Sequence, residues 1–364
     1  MTDRLRVVVA PDKFKGSLTA GEAAAAMRLG VLDVLPGAVV ECVPVADGGE
    51  GTVDAFVTAG ASPHSVTVSG PLGDPVYARF AIRDEVAVVE SAQACGLALV
   101  GTPGPRSALA ADTYGVAQLV IGAVAAGAKR VVVGVGGSAS TDGGSGLARG
   151  LGAELLDTTG RPLPPGGGSL TALDRIDVTG LHDAGPVLVA SDVRAPLADA
   201  ARTYAAQKGA GPDEIALLAA GLRRWAEIVS RDVGRSIGDI AGGGAAGGLA
   251  AGLVAFCDAE IVSGVDVVLD LLDFRATVAG ADLVLTGEGS FDAQSLDGKA
   301  PIGVARRAAG VPTWVVSGRA DVEGAPGVAG VLALTDIVTP DEAVRDAATL
   351  LRRRTADAVR RWRQ

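Results

Sequence analysis

The sequence predicts an α/β protein built on a five-stranded parallel sheet, with a second α/β domain inserted into it. Short runs of Val, Leu and Ile recur that are too continuous to alternate between core and solvent. Strands buried on both faces of a parallel sheet read this way. Helical segments lie between many of the runs. The stretch from Ser65 to Glu90 differs: its short strands alternate and turn residues separate them, which suggests antiparallel pairing and the start of a second domain.

The first run, Arg6 to Ala10, precedes Thr19-Ala20-Gly21-Glu22, a capping box that opens a helix stopped by Pro36-Gly37. Val39 to Val45 is the second run. Turn signals at Gly70-Pro71 and Gly73-Asp74 divide the antiparallel region. Further runs follow at Arg130 to Val135, Val187 to Ala190, Leu283 to Thr286, Thr313 to Val316 and Val331 to Leu334. Thr339-Pro340-Asp341-Glu342 opens the last helix with the same capping device and Pro at its first position. One sheet made from the strands near residues 6, 40, 283, 313 and 331 sets the domain boundaries. The first domain is then 1–65 with 281–364, and the insertion is 66–280.

At 364 residues the chain exceeds what one hydrophobic core usually organises, in keeping with two domains. Apolar residues make up 48% and aromatics only 3%, so Val, Leu, Ile and Ala must build the interior. The 52 glycines fall in clusters, which suggests backbone-lined anion sites. Val7 to Ala10 is too short for the apolar region of a signal peptide. The uncharged segment Ala241 to Cys257 falls short of the roughly 20 apolar residues that span a bilayer. Cys42, Cys95 and Cys257 are isolated, which supports neither a disulfide framework nor a structural zinc site and fits a reducing, cytoplasmic setting. The net charge of −10 opposes binding to nucleic acid. Arg352, Arg353, Arg354, Arg360, Arg361 and Arg363 read instead as cations complementing the end of a helix.

In open parallel sheets ligands gather beyond the carboxyl ends of the strands, so the residues after each run carry the functional signal. The first strand is followed by Pro11-Asp12-Lys13-Phe14-Lys15-Gly16-Ser17, and the second by Asp47-Gly48-Gly49-Glu50-Gly51-Thr52. Later runs end at Glu90, at Gly136-Gly137-Ser138, at Ser191-Asp192 and at Gly287-Glu288-Gly289. Carboxylates, glycines and small hydroxyls are what hold a metal ion and phosphate oxygens. The longest glycine-rich segment, Gly134 to Gly146, and the turn from Asp47 to Thr52 are read as anion sites, since successive amides can point at an anion where a helix begins. Gly242-Gly243-Gly244-Ala245-Ala246-Gly247 satisfies GxGxxG, but no apolar strand precedes it as a dinucleotide fingerprint requires. Gly298-Lys299 is followed by Ala300, so the Walker pattern is absent.

Only five of the 32 basic residues are lysines, and Lys13, Lys15, Lys208 and Lys299 sit in or beside glycine-rich turns, whereas Lys129 reads as ordinary surface. An ammonium is a compact charge that guanidinium does not replace where it meets phosphate. The two histidines, His64 and His182, lie in loop-like contexts without a catalytic pattern. Proton abstraction therefore falls to a carboxylate, with Asp192, Asp47 and Asp292 the candidates. Phosphoryl transfer suits such a site, because it depends mainly on positioning and charge neutralisation.

Four segments together resemble the bacterial class I glycerate kinases. They are Ala10 to Ala20, Pro44 to Thr52, Gly136 to Gly144, and Thr286-Gly287-Glu288-Gly289 with Asp292, Gln294, Gly298 and Lys299. The match runs from the first strand to the final helix. It implies ATP-dependent conversion of D-glycerate to a phosphoglycerate, 2-phosphoglycerate by analogy with bacterial relatives. It also implies a flavodoxin-like (Rossmann-like) domain carrying the inserted α/β domain, with a cleft between them. Lys13 stands where the family has Ser, Thr141 where it has Asn, Ala195 where it has Asn, and Ala206 where it has Pro.

These readings combine into one assignment. Lys15, Asp47 and Asp192 are catalytic, with Asp192 or Asp47 the general base. Gly48, Gly49, Gly51, Thr52, Gly136, Gly137, Ser138 and Lys208 hold the nucleotide phosphates. Lys13, Ser17, Gln294 and Lys299 hold the substrate, and Glu288 and Asp292 hold Mg²⁺ beside ATP. The partners expected are D-glycerate and ATP, with no nucleic acid and no membrane; sequence leaves monomer and homodimer open. Two rival readings are an NAD-dependent hydroxy-acid dehydrogenase using the GxGxxG-like segment and a catalytically silent sugar-acid-binding protein on the kinase fold.

Overall fold

The computed structural model describes residues 4–364. Numbered in chain order, β1 (Arg6–Pro11) and β2 (Val39–Cys42) precede β3 (Ser62–Ser69), β4 (Pro75–Arg83), β5 (Val86–Glu90) and β6 (Arg130–Gly134). The short pair β7 (Glu154–Leu156) and β8 (Arg175–Asp177) comes next, then β9 (Val187–Ala190) and β10 (Glu260–Val262). The chain closes with β11 (Leu283–Gly287), β12 (Ser290–Phe291), β13 (Thr313–Ser317), β14 (Arg319–Ala320) and β15 (Gly330–Ala333).

The chain divides into two compact units. The first runs to Asp47, resumes over Asp54–Gly60 and takes in Ser263–Gln364; the second is Gly48–Val53 with Ala61–Val262. Helices Gly264–Leu271 and Phe274–Val278, which the sequence reading assigned to the insertion, fall in the first unit. Their Val265, Val268, Leu269 and Phe274 pack with Val8, Ala10 and Val284 in one apolar cluster.

In the first unit β15, β13, β11, β1 and β2 lie side by side in that order, every neighbouring pair parallel. Counting only these strands along the chain gives the order 2-1-3-4-5, which is the flavodoxin arrangement. The period of two along a strand explains why its runs are continuous. Val7 and Val9 pair with Leu283 and Leu285 and bury against Met27 and Val31 on one face. Val8 and Ala10 bury on the other face among Val265, Leu269 and Val304. Burying each of these Val and Leu side chains contributes about 2 kcal/mol relative to exposure.

Both expected capping boxes form, at Thr19 with Glu22 and at Thr339 with Glu342. The last helix breaks after Arg345 and resumes as Ala347–Trp362, which lies on helix Ala20–Val34. Gly30 permits that approach, because a Cβ there would meet the Arg352 carbonyl oxygen at 2.3 Å. Arg352 closes the contact with two bonds of 2.7 Å to Asp33. Arg354 is buried and donates to the Ala333 carbonyl at 3.0 Å.

In the second unit β10, β9, β6, β5, β4 and β3 lie in sequence, parallel from β10 to β5 and antiparallel from β5 to β3. The Gly70 to Asp74 turn joins β3 to β4, with the Gly70 amide donating to Asp74 at 2.7 Å. His64 lies on edge strand β3 rather than in a loop, stacked 5.2 Å from the Phe80 ring. The adjacent Pro63 disguised this strand, since Pro is tolerated at an edge. Helices Tyr114–Ala125, Pro212–Asp232 and Ala245–Cys257 each contribute to the core, with Trp225 stacked on Phe256 at 5.7 Å. Among the described residues no helix is long and apolar enough to cross a membrane.

Candidate active site

In the first unit three carboxylates follow neighbouring strands of the sheet. Asp12 comes directly after β1, where its amide donates to the Gly287 carbonyl at 2.8 Å and its Oδ1 accepts from the Lys13 amide at 2.6 Å. Glu288 comes directly after β11, next to β1 in the sheet. Asp47 ends the segment after β2, where the Val45 amide donates to the Pro11 carbonyl at 3.0 Å.

These groups crowd one another. Asp12 is 6% exposed, and its pKa is pushed up to about 7, first by burial and then by the negative charges of Asp47 and Glu288, against the pull of Lys13. Glu288 is also pushed up to about 7, mainly by burial, with Asp292 and Asp47 adding to it and Ser295 and Lys299 opposing. Its Oε1 is buried and meets no hydrogen-bond partner among the described residues. Hard carboxylate oxygens desolvated in this way favour a cation, and Mg²⁺ characteristically takes one or two protein carboxylates and leaves its other positions to water and phosphate. That habit fits, because no three acidic, His or Cys side chains among the described residues converge as a ligand set.

The other expected residues of this unit are placed as follows. Asp292 Oδ1 accepts from the amides of Gln294 at 2.9 Å and Ser295 at 3.2 Å and lies 3.8 Å from Lys299 Nζ. That carboxylate organises its own turn. Lys299 is half-buried and Gln294 exposed. Lys15 is exposed in the loop after β1, Lys13 is half-buried, and Ser17 Oγ donates to the Phe14 carbonyl at 3.1 Å. Gly289 lets this loop lie against the β11 tip, since a Cβ there would approach the Lys15 amide to 3.1 Å.

In the second unit two glycine-rich turns meet. A Cβ on Gly134 would lie 2.2 Å from the Gly48 carbonyl oxygen, and one on Gly136 would lie 3.4 Å from Gly49 Cα. Buried Glu90 fixes the first turn, its Oε1 accepting from the amides of Gly51 at 3.0 Å and Val53 at 2.8 Å. Thr52 is buried and its hydroxyl donates to the Gly49 carbonyl at 2.6 Å, so it closes the turn.

The second turn splits into two halves with different roles. Asp142 is fully buried and accepts from Thr113 Oγ1 at 2.8 Å, the Gly146 amide at 2.9 Å and the Gly144 amide at 3.2 Å. This half is held by its own carboxylate, while Ser140 Oγ and Thr141 Oγ1 beside it are buried without a partner among the described residues. In the other half the amides of Gly136, Gly137 and Ser138 have no acceptor among the described residues. Gly137 adopts a φ of +63°, a conformation that can turn successive amides to one side as an anion nest. Lys208, expected at the phosphates, is 3% exposed, and its ammonium donates to Ser138 Oγ at 3.0 Å and to the Ser140 carbonyl. Burial lowers its pKa to about 8. Asp192 is half-buried after β9, beside Ser191, whose Oγ accepts from the Val193 amide at 3.2 Å.

The GxGxxG-like run packs behind the half that Asp142 holds. A Cβ on Gly247 would lie 2.0 Å from the Ser140 carbonyl oxygen, and the Gly143 amide donates to Gly247 at 3.0 Å. Its glycines allow backbone to touch backbone, which removes the ground for the dehydrogenase reading.

Sequence reasoning did not single out Asp12, Glu90 or Asp142 as site residues. The signal was present for the first two, since each ends an apolar run, whereas Asp142 lay inside a segment read for its glycines.

The family model described as the glycerate kinase family matches residues 7–363. The chain belongs to the glycerate kinase family. A glycerate 2-kinase of Escherichia coli (strain K12) is 40% identical over 360 residues, covering 94% of this chain and 94% of the relative. A glycerate kinase of Bacillus subtilis (strain 168) is 40% identical over 314 residues, covering 84% and 82%. The crystal structure of a candidate glycerate kinase 2 from Salmonella typhimurium LT2 superposes with a TM-score of 0.85 at 37% identity, covering 99% of each chain. As a member of this kinase family the chain is an enzyme, a phosphotransferase with an alcohol group as acceptor.

Proposed function

We propose that the chain transfers the terminal phosphoryl group of ATP to the O2 hydroxyl of D-glycerate, giving 2-phosphoglycerate and ADP. The observation that carries this reading is the set of carboxylates after β1, β2 and β11, among them Glu288 with its buried, unpartnered Oε1. The choice of O2 rests on the name of the E. coli relative.

Glu288 and Asp292 would hold Mg²⁺, and the ion, when bound, supplies positive charge against the phosphate oxygens. Lys15, Lys13 and Lys299 offer ammonium groups for the phosphates or the substrate carboxylate, with Ser17 and Gln294 beside them. In the second unit the amides of Gly136, Gly137 and Ser138 serve as oxyanion donors, and the turn of Gly48, Gly49, Gly51 and Thr52, held by Glu90, packs against their segment. The hydroxyl proton goes to a carboxylate. Asp47 and Asp192 are the assigned bases, and Asp12 joins them because its raised proton affinity suits acceptance near neutral pH.

A coupled ADP-release assay over glycerate, glycolate, lactate and tartronate tests the proposal. ADP formed with D-glycerate and not with lactate supports it. Binding of glycerate without ADP formation would establish the silent-binder alternative instead.

A further inference from the structure

Lys208 makes no exposed contact, yet it is one of only five lysines in the chain. Its ammonium meets two oxygens on one turn, Ser138 Oγ and the Ser140 carbonyl. The turn is also clamped from its other side: the Ala139 amide donates to the Cys95 carbonyl at 2.7 Å and the Leu97 amide to the Gly137 carbonyl at 2.8 Å.

An ammonium has three donors and no acceptor. Ser138 Oγ must therefore accept from Lys208, and its own hydroxyl hydrogen is directed elsewhere. No acceptor among the described residues takes that hydrogen. The amides of Gly136, Gly137 and Ser138 itself are open in the same way.

We infer that Lys208 is a positioning residue: by occupying the acceptor side of Ser138 Oγ it makes this hydroxyl a donor, completing with the Gly136 to Ser138 amides a pocket for a ligand oxyanion. The oxyanion is a phosphate oxygen of the nucleotide or the carboxylate of the hydroxy acid. This rests on the phosphotransfer reading above and assigns Lys208 a role through Ser138 rather than at the phosphate. The low exposure of Lys208 and its lowered pKa agree with a buried strut.

The test is a double-mutant cycle of Ser138→Ala and Lys208→Met in the full chain, with kcat and the KM values for ATP and D-glycerate measured separately. Wild-type turnover of D-glycerate is the gate: its absence sinks the phosphotransfer reading, and only its presence puts the positioning role on trial. Ser138→Ala is expected to raise KM for one anionic ligand about tenfold, the size of one good hydrogen bond, and the ligand affected identifies the oxyanion. Lys208→Met should raise the same KM, and adding it to Ser138→Ala should bring little further loss. Unchanged KM values in Ser138→Ala would overturn the inference, and so would losses that multiply in the double variant, as expected if Lys208 touched the ligand itself. Should Lys208→Met fail to fold, Ser138→Ala and the conservative Lys208→Arg decide alone. Partial retention of ligand affinity in Lys208→Arg supports the strut, and a phenotype confined to Lys208→Arg with Ser138→Ala silent refutes it.

Discussion

Gly134 and Gly48 touch backbone to backbone: the space a Cβ on Gly134 would need is taken by the Gly48 carbonyl oxygen, 2.2 Å away. The contact joins the end of β6 to the turn that Glu90 organises. Gly134→Ala should therefore displace that turn, destabilising the chain by about 3 kcal/mol and raising the KM for ATP. Gly37→Ala is the control, since Gly37 has nothing within 4 Å of its missing Cβ. Urea unfolding and steady-state kinetics on both variants make the comparison, and equal behaviour would refute the packing argument.

Glu90 holds the same turn from its other side. Glu90→Ala leaves the Gly51 and Val53 amides without their carboxylate and should cost about 3 kcal/mol, more than removal of an exposed ion pair such as Lys129 with Glu85. Chemical denaturation at neutral pH measures it. A loss below that of Glu85→Ala would show that other acceptors replace the carboxylate.

The sheets were legible because buried parallel strands leave unbroken Val and Leu runs, and Val7 to Ala10 with Leu283 to Leu285 fixed the centre of the first sheet. The antiparallel end of the second sheet showed in its turns. The domain boundary was less legible: Val265 and Leu269 are as apolar as any insertion residue, and only their packing on Val8 and Val284 assigns them. Lys208 stood out in the sequence by its rarity, but sequence does not tell a buried ammonium bonded to its own fold from a phosphate contact. Gly242 to Gly247 looked like a cofactor motif because close backbone packing and phosphate binding both require the missing Cβ.

Asp12 binds its proton more tightly in the folded chain than in the unfolded one, since its pKa rises from an ordinary 3.8 to about 7. Its contribution to stability is therefore full below the unfolded value and is lost as pH rises through the folded one. Between about pH 5 and about pH 8 the melting temperature should fall, and Asp12→Asn should flatten part of that fall and raise the value at the upper end by roughly 4 °C. Glu288 adds a second titration in the same window, so the variant does not abolish the slope. A melting profile unchanged by Asp12→Asn would remove the electrostatic crowding on which the cation argument stands.

Lys15 is exposed at the tip of the first loop and supports no core residue. Lys15→Ala should leave the circular dichroism spectrum and melting temperature as they are while lowering kcat by about 100-fold or more. Asp192→Ala, at the end of β9, should lower kcat on the same scale if it accepts the hydroxyl proton. Full activity in both would take these residues out of the reaction.

The phosphorus-31 NMR spectrum of the enzyme turning over ATP, Mg²⁺ and D-glycerate tests the phosphotransfer claim most directly. A new phosphomonoester resonance, split into a doublet by the single proton on C2, is expected to grow as the γ-phosphate resonance of ATP disappears. A triplet would move the transfer to O3, and a spectrum in which no phosphomonoester forms while D-glycerate and ATP remain intact would contradict the account.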